Sequence, residues 1–173
     1  MKTIEIAELR KDKWREYLKG KELVVGYAQM PGGKVGVGVV GEFLVCLAYV
    51  DDVELHMKER LDVKVVKYDD GIVRRTLEKL KAGEGKLLLV GSEFERAIWK
   101  VLLKILPGQT VSYQWVADQV GKAKAVRAVG SAIGRNPIAY WVPCHRVVRS
   151  DGGMGGYAYG LEIKQQLLQL ETA

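Results

Sequence analysis

Cys144 stands in the segment WVPCHRVV (residues 141–148), directly after a proline and directly before His145. A free cysteine thiol, with a pKa of about 8.5, is little ionised at neutral pH, so a nucleophilic role requires a base or nearby positive charge. His145, Arg146 and Arg149 are candidates for both. Adjacent side chains of a regular strand face opposite ways, so cooperation between Cys144 and His145 requires a turn, which Pro143 favours. For an isolated pair, a buried structural cysteine beside a surface histidine is the better interpretation.

The composition bounds the class of protein. The chain has 173 residues, of which 48% are hydrophobic and 28% charged, with two cysteines. These values are typical of a globular protein with one sizeable core or two small ones. The first ten residues lack the apolar core of a signal peptide, and the apolar run 35–50 is too short to cross a membrane as a helix. Neither cysteine has a second cysteine nearby, so we expect a reducing cytoplasm. We expect no cofactor, and no metal, because Cys46 and His56 cannot supply the usual four ligands.

The excess positive charge is concentrated. The formal net charge is +6, and residues 119–150 contain six basic residues and no acidic one: Lys122, Lys124, Arg127, Arg135, Arg146 and Arg149. Such a stretch is typical of a polyanion-binding surface, although an ordinary solvated face also produces it. A single asparagine among abundant lysine and glutamate suggests a thermophilic source. A melting midpoint in the ordinary mesophile range would contradict that hypothesis.

The first half of the chain predicts an α/β domain over residues 1–90. Valine-rich runs predict strands at residues 23–29, 34–40 and 43–49, joined by turns at 31–33 and 41–42. A helix follows Asp52 and extends to residue 60, a strand is predicted at 63–68, a helix at 71–81 and a strand at 86–90. The pattern GVGVVG (36–41) formally matches a dinucleotide-binding motif, but strands flank it, so we interpret it as part of a twisted hairpin.

The second half predicts a mostly helical domain over residues 91–173. Ser92 and Glu95 form a capping box before apolar residues at helical spacing, and this helix is expected to end at 107–108. Ser112 caps a second helix through residue 120, and residues 123–133 predict a third, which together give a helix-turn-helix. The glycine cluster 152–156 lacks the lysine and hydroxyl of a phosphate loop and fits a flexible wing or lid.

From about residue 94 to residue 171 the sequence resembles the O6-alkylguanine-DNA alkyltransferases. Five ordered elements carry the resemblance: VSYQ (111–114), AVRAVG (125–130), NP (136–137), PCHRV (143–147), and Tyr157 followed by Glu171 in a closing helix. The first half resembles the family's ribonuclease-H-like domain only in the order of its strands and helices. The resemblance therefore implies a ribonuclease-H-like α/β domain followed by a mostly α winged helix-turn-helix domain.

The resemblance implies direct-reversal DNA repair. Cys144 would take the alkyl group from O6-alkylguanine in duplex DNA, irreversibly and once per molecule. Glu171 would orient His145, which would withdraw the thiol proton through a bridging water. Tyr113 would donate to N3 of the departing guanine. Whether O4-alkylthymine is also a substrate stays open.

The resemblance also implies how the damaged base is reached. The nucleotide must leave the stack, and Arg127 would fill its place while the third helix lies in the minor groove. Tyr159 stands where the family often has glycine, which is expected to narrow the pocket. No membrane partner is expected, and the protein should be a monomer that can bind DNA cooperatively. Further DNA contacts are assigned to Ser112, Lys124, Ala128, Gly130 and Arg135, the substrate pocket to Val147, Tyr157, Ala158 and Tyr159, and structural support to Asn136.

Two other classes compete with this interpretation. Relatives that only bind alkylated DNA replace the cysteine, whereas Cys144 is present here. A cysteine hydrolase needs a base and an orienting group that come from separate segments, which a neighbouring Cys144 and His145 do not provide.

Overall fold

A computed structural model describes residues 3–64 and 66–172. The chain divides into two compact units, Met1–Ser92 and Glu93–Ala173. The sequence places the domain boundary after residue 90, two residues earlier. Among the described residues, no helix is both long and apolar enough to cross a membrane.

A six-stranded mixed sheet forms the centre of the first unit. Its strand order is β1-β6-β4-β3-β2-β5, in which β2, β3 and β4 are antiparallel and the pairs β1–β6, β4–β6 and β2–β5 are parallel. Valines recur along β3 and occupy two adjacent positions of β2, and β-branched residues favour such a buried, pleated surface. The strands are β1 (Glu5–Arg10), β2 (Leu23–Met30), β3 (Gly33–Val40), β4 (Phe43–Ala48), β5 (Lys67–Tyr68) and β6 (Lys86–Gly91).

Three helices accompany this sheet. After a 3-10 turn at Lys11–Lys13 the chain forms α1 (Trp14–Leu18). Aspartates begin the other two helices: Asp52 accepts a hydrogen bond from the amide of Leu55 at the start of α2 (Val53–Leu61), and Asp69 caps α3 (Asp70–Lys81) in the same way. Helix α3 packs against β2 and β3.

The structure confirms the three valine-rich strands, the helix capped by Asp52, the helix predicted over 71–81 and the closing strand β6. The cap of the second helix by Asp69 was not predicted. The predicted strand over 63–68 is wrong in length, because only Lys67–Tyr68 pairs; Val65 lies outside the described residues. Strand β1 and helix α1 were not predicted. The glycine motif lies in β3 and its turn, as interpreted, and Gly36 is required there because an added Cβ would come within 2.5 Å of the Val53 side chain.

The second unit consists of four helices and one small parallel sheet. Its elements are α4 (Glu93–Leu102), β7 (Val111–Ser112), α5 (Tyr113–Gln119), α6 (Val126–Gly134), β8 (Val147–Val148) and α7 (Leu161–Thr172). Helices α4, α5 and α6 pack on one another, which gives the predicted helix-turn-helix order, and β7 pairs with β8. Helix α4 ends at Leu102, before the predicted stop, and α6 begins three residues later than predicted. The β7–β8 pair was not predicted.

Candidate active site

The backbone between α6 and Cys144 is held by Asn136. Its buried side chain donates to the carbonyl of Val142 at 2.8 Å and accepts from the amide of Ile138 at 3.0 Å. This agrees with the support role expected for it. The amide of Cys144 donates to the Val142 carbonyl at 2.8 Å, across a tight turn centred on Pro143. The turn that cooperation between Cys144 and His145 requires is therefore present, and a short 3-10 turn, Cys144–Arg146, follows it.

The Cys144 thiol lies at the base of this turn and is 8% exposed. Burial raises the pKa of Cys144 above its ordinary value. The polar groups of Asn136 and Tyr157 and the positive charge of Lys164 oppose that rise in part. At neutral pH the resting sulfur is therefore a thiol, and a base must remove its proton when the sulfur reacts.

Glu171 and Arg146, which are half-buried, form a charge cluster with the buried His145. Nε2 of His145 lies 2.8 Å from a carboxylate oxygen of Glu171, and the guanidinium of Arg146 binds the same carboxylate at 2.7–3.1 Å. Arg146 also donates to the carbonyl of Ile105 at 2.6 Å. Burial alone would raise the pKa of Glu171, but the hydrogen bonds from Arg146 and His145 outweigh burial and hold it below its ordinary value. Burial lowers the pKa of His145, so the imidazole is neutral near pH 7.

These roles decide the tautomer of His145. An ionised carboxylate can only accept, so Nε2 carries the proton that Glu171 receives and Nδ1 bears the free lone pair. Nδ1 is buried and has no hydrogen-bond partner among the described residues. The histidine therefore presents a basic nitrogen in a desolvated place, next along the chain to the thiol.

Lys164 of α7 is a buried cation of the site, and its side chain is inaccessible to solvent. Its ammonium donates to three carbonyl oxygens: Met154 at 2.6 Å, Val147 at 2.7 Å and Gly156 at 3.0 Å. Burial lowers the pKa of Lys164 to about 8, and the nearby Cys144 acts in the opposite direction. Lys164 thus fastens the glycine-rich segment to β8 and brings positive charge towards the sulfur.

A pocket of about 530 Å³ opens above Cys144. Eight residues that the sequence assigned to the site line it together: Tyr113, Arg127, Gly130, Asn136, Cys144, Tyr157, Ala158 and Tyr159. His145 and Glu171 do not line the pocket. Arg127 is exposed on α6. The pocket is therefore lined by a cation, Arg127, and by the thiol of Cys144.

Tyr113 spans one wall of this pocket. Its hydroxyl donates to the Gly156 carbonyl at 3.4 Å, a long contact that another acceptor can replace. Gly155 has a positive φ of 71°, and an added Cβ there would lie 2.8 Å from the Tyr113 oxygen, so the segment needs glycine at this point. Burial and the neighbouring Cys144 raise the pKa of Tyr113, which keeps the phenol protonated and able to donate.

The other predicted site residues have different surroundings. Ser112 caps α5, since its hydroxyl accepts from the amide of Trp115 at 3.0 Å. Arg135 binds Glu95 at 2.8 Å, and Val147 is fully buried with its carbonyl bonded to Lys164. Lys124, just before α6, and Ala128, within α6, are both exposed. For all five, the DNA or pocket roles stay predictions.

Sequence reasoning did not assign roles to Arg146 at Glu171 or to Lys164. The sequence predicts Arg146 as a source of positive charge, for the thiol or for a polyanion-binding surface, whereas its side-chain bonds go to Glu171 and Ile105. Arg149, considered in the same way, is paired with Asp151. The available signal for Lys164 was its position three residues before the apolar Leu167 on α7, which places the two on one helix face.

Comparisons with known proteins identify the family that the second unit resembles. A family model described as the DNA-binding domain of 6-O-methylguanine DNA methyltransferase matches residues 93–173. A methylated-DNA–protein-cysteine methyltransferase of Methanosarcina barkeri is 50% identical over 93 residues, which are 54% of this chain and 59% of that protein. The corresponding protein of Mycolicibacterium paratuberculosis is 52% identical over 86 residues, 50% of this chain and 52% of that protein. The match to these curated relatives thus spans little more than half of their length.

Likeness to solved structures extends over both units. A crystal structure of Mycobacterium tuberculosis OGT in complex with DNA is 35% identical, with a TM-score of 0.71, and the match covers 86% of this chain and 92% of that one. The O6-methylguanine-DNA methyltransferase of Pyrococcus kodakaraensis is 25% identical with a TM-score of 0.61, over 88% of this chain and all of that one. The mixed α/β sheet plus helices is therefore the family's arrangement, and this chain belongs to the O6-alkylguanine-DNA alkyltransferase family.

Proposed function

We propose that this protein repairs DNA by moving the alkyl group of O6-alkylguanine in a duplex to Sγ of Cys144. The observation that carries the proposal is the position of Cys144 in an open pocket, next along the chain to a buried neutral histidine whose other nitrogen is held by Glu171. We infer that the first unit is ribonuclease-H-like and the second a winged helix-turn-helix. Both cysteines are free, which suits action in a reducing cytoplasm.

Activation of the thiol follows from the pKa directions. Since burial keeps Cys144 protonated, a thiolate must form as the sulfur attacks. A bridging water can carry the proton from Sγ to Nδ1 of His145, and the imidazolium that forms is stabilised by the carboxylate of Glu171. Arg146 keeps that carboxylate ionised and in place. Burial thus keeps His145 neutral and able to act as a base, and the carboxylate held in the Arg146–Glu171 ion pair orients it.

The transfer step balances without a cofactor. The sulfur forms a bond to the alkyl carbon while the bond from that carbon to guanine O6 breaks, and its electron pair stays on the base. Tyr113 donates a proton to guanine N3, and the proton taken up by His145 returns to the phenolate, so guanine leaves neutral. The backbone amide of Ala158 is available for O6, and the carbonyls of Cys144 and Val147 each have a second lone pair for the exocyclic amine. The thioether on Cys144 has no release route, so each molecule acts once.

DNA contact is assigned to α6 and its surroundings. Arg127 lies at the pocket wall, where it can enter the stack as the damaged nucleotide leaves it. Ala128 and Gly130 leave little side chain between the helix backbone and a minor groove. Lys124, Ser112 and Arg135 would bind phosphates.

The decisive experiment uses the two cysteines as a matched pair. Incubation with a duplex that carries O6-methylguanine should add one methyl group to the protein, on the peptide that contains Cys144, and leave guanine in the DNA. Cys46→Ala should still be methylated, whereas Cys144→Ala should bind the duplex and gain no mass. Tight binding by the unsubstituted protein without any mass gain would instead support a module that only binds alkylated DNA.

Replacement of Arg127 separates base flipping from chemistry. Arg127→Ala should slow the reaction with duplex far more than the reaction with a free O6-alkylguanine base, whereas loss of one phosphate contact gives only a salt-sensitive weakening. Equal losses on both substrates would contradict the assignment to the vacated stack.

A further inference from the structure

Tyr140 has a backbone conformation that its side chain disfavours. Its φ is +69°, and among the described residues only Asp62 is another non-glycine residue with positive φ. Asp62 ends a helix in the left-handed region, where aspartate is comparatively common. A bulky aromatic residue there is a genuine outlier, and such strain persists only where the surrounding structure enforces it.

The strain lies in a tight turn four residues before the nucleophile. The amide of Trp141 donates to the carbonyl of Ala139 at 2.8 Å, which closes a three-residue turn centred on Tyr140. The amide of Val142 donates to the Ile138 carbonyl at 3.1 Å, and Asn136 binds both of those residues. The turn is thus over-determined from both ends, and glycine or asparagine would fit its backbone with less strain.

The strained backbone conformation determines where the ring of Tyr140 lies. It lies 6.5 Å from the ring of His145, centroid to centroid, and the two planes are inclined by only 13°. Trp141 braces the phenol edge-on at 5.3 Å. His145 has no solvent exposure, whereas Tyr140 is partly exposed, so the phenol is the partly exposed ring stacked beside a buried imidazole.

We propose that Tyr140 is a positioning residue for His145: its strained turn places the phenol parallel to the imidazole, fixes the plane of that ring and keeps bulk water away from it. The inference rests on the proposed function, in which His145 is the base that activates Cys144. A ring free to tilt would lose the alignment of Nε2 with Glu171, and with it the direction in which Nδ1 accepts a proton.

Other groups also act on the imidazole. Glu171 and Lys164 face it from α7, Arg146 lies on its own segment and Cys144 precedes it. Burial is the largest cause of the lowered pKa of His145, and the Glu171 carboxylate acts against it. Uncovering the ring should therefore raise the pKa of His145, whereas a general loosening of the fold should not shift it selectively.

The test compares Tyr140→Asn, which removes the ring and tolerates the backbone, with Tyr140→Phe, which keeps the ring. The chain has two histidines, so His56 serves as an internal reference when the imidazole signals are titrated by NMR. Tyr140→Asn should raise the pKa of His145 by about half a unit or more, slow methyl transfer about tenfold and move the acid limb of the rate profile to higher pH. Tyr140→Phe should match the unsubstituted protein in all three.

An unchanged His145 pKa in Tyr140→Asn, or a Tyr140→Phe as slow as Tyr140→Asn, would overturn the proposal. If Tyr140→Asn does not fold, Tyr140→Gly provides the same comparison with an even freer backbone. Failure of the proposed function is distinguishable, because the histidine titration and the reaction of Cys144 with iodoacetamide need no DNA. Should the unsubstituted protein fail to accept a methyl group, these two measurements still decide whether Tyr140 controls His145.

Discussion

The two units each bury one cysteine, and the two thiols have opposite surroundings. Cys46 on β4 is 2% exposed and is packed beside Gly38 and Met57, and burial raises its pKa to about 12. Burial raises the pKa of Cys144 as well, but Asn136, Tyr157 and Lys164 oppose that rise in part, and Cys144 lines a pocket. Burial alone therefore makes a thiol inert, and reactivity depends on polar groups that accompany the burial.

The comparison also shows how the second unit tolerates buried charge. In the first unit the interior is filled by valine, leucine and methionine side chains. In the second, Glu171 is matched by Arg146 and His145, and Lys164 is bonded to three carbonyls. Each buried ion has partners, as burial requires, and those partners come from three separate segments. Burying these ions costs free energy. The same arrangement provides the oriented base, His145, beside Cys144.

The largest effect that would test this contrast is expected from Glu171→Gln. An amide cannot stabilise the imidazolium of His145, so methyl transfer should slow by about 10²–10⁴-fold, the usual range for loss of general-base catalysis. Single-turnover kinetics with an O6-methylguanine duplex measure it.

Glu162→Gln is the matched control, because Glu162 is an exposed residue of the same helix and should react at the normal rate. A Glu171→Gln protein that folds and reacts normally would show that Cys144 needs no oriented base, and would remove the distinction between the two thiols.

Direct labelling should give the next largest difference. In the folded protein, iodoacetamide should modify Cys144 on the order of 10² times faster than Cys46, whose reaction requires local unfolding. Peptide mass mapping over time gives both rates. In denaturant the two rates should converge, and a persistent difference there would mean that local sequence rather than the fold controls reactivity.

Most of the site could be predicted from sequence because its residues lie in short motifs. Valine-rich runs predict β2, β3 and β4, and the capping residues Asp52 and Ser112 mark where two of the helices begin. Strand β1 escaped prediction because its charged residues hide the alternation, and it is stabilised by pairing with β6, which is distant in the sequence.

The remaining features depend on tertiary contacts. The spacing of Lys164 to Leu167 indicates a shared helix face but not a role, which follows from the carbonyls of residues 147, 154 and 156 that converge only in the fold. The partners of Arg146 and Arg135, likewise, are 25 and 40 residues away. The strain at Tyr140 is visible only in its φ.

A smaller effect is expected from Lys164→Met, which removes the ammonium but keeps an unbranched side chain. Without the charge, the pKa of Cys144 should rise, and the glycine-rich segment should lose its three bonds to the helix. We expect methyl transfer to slow about tenfold, because one charge partner of a buried thiol is lost. Exposed Lys122 offers the control: Lys122→Met should change the salt dependence of DNA binding and leave the chemical step alone. If Lys164→Met and Lys122→Met change DNA binding and methyl transfer to the same extent, Lys164 contributes only general positive charge.

The last effect is on stability rather than on rate and follows from the same lysine. The pKa of Lys164 falls from 10.5 to about 8 on folding, so between these values the unfolded chain binds more protons than the folded one. The free energy of unfolding should therefore rise with pH across that window by about 2–3 kcal/mol relative to Lys164→Met, which lacks the titrating group. Tyr113, whose pKa is raised, titrates in the opposite sense in both proteins and cancels in the comparison. Both proteins are measured in a Cys144→Ala background, because the pKa of Cys144 depends on Lys164, and the difference between the two urea curves is the quantity to measure. If the difference in free energy of unfolding stays constant from about pH 8 to 10, the hydrogen bonds from Lys164 to the three carbonyls compensate for its burial. The charge of Lys164 then destabilises the fold no more than an apolar side chain does.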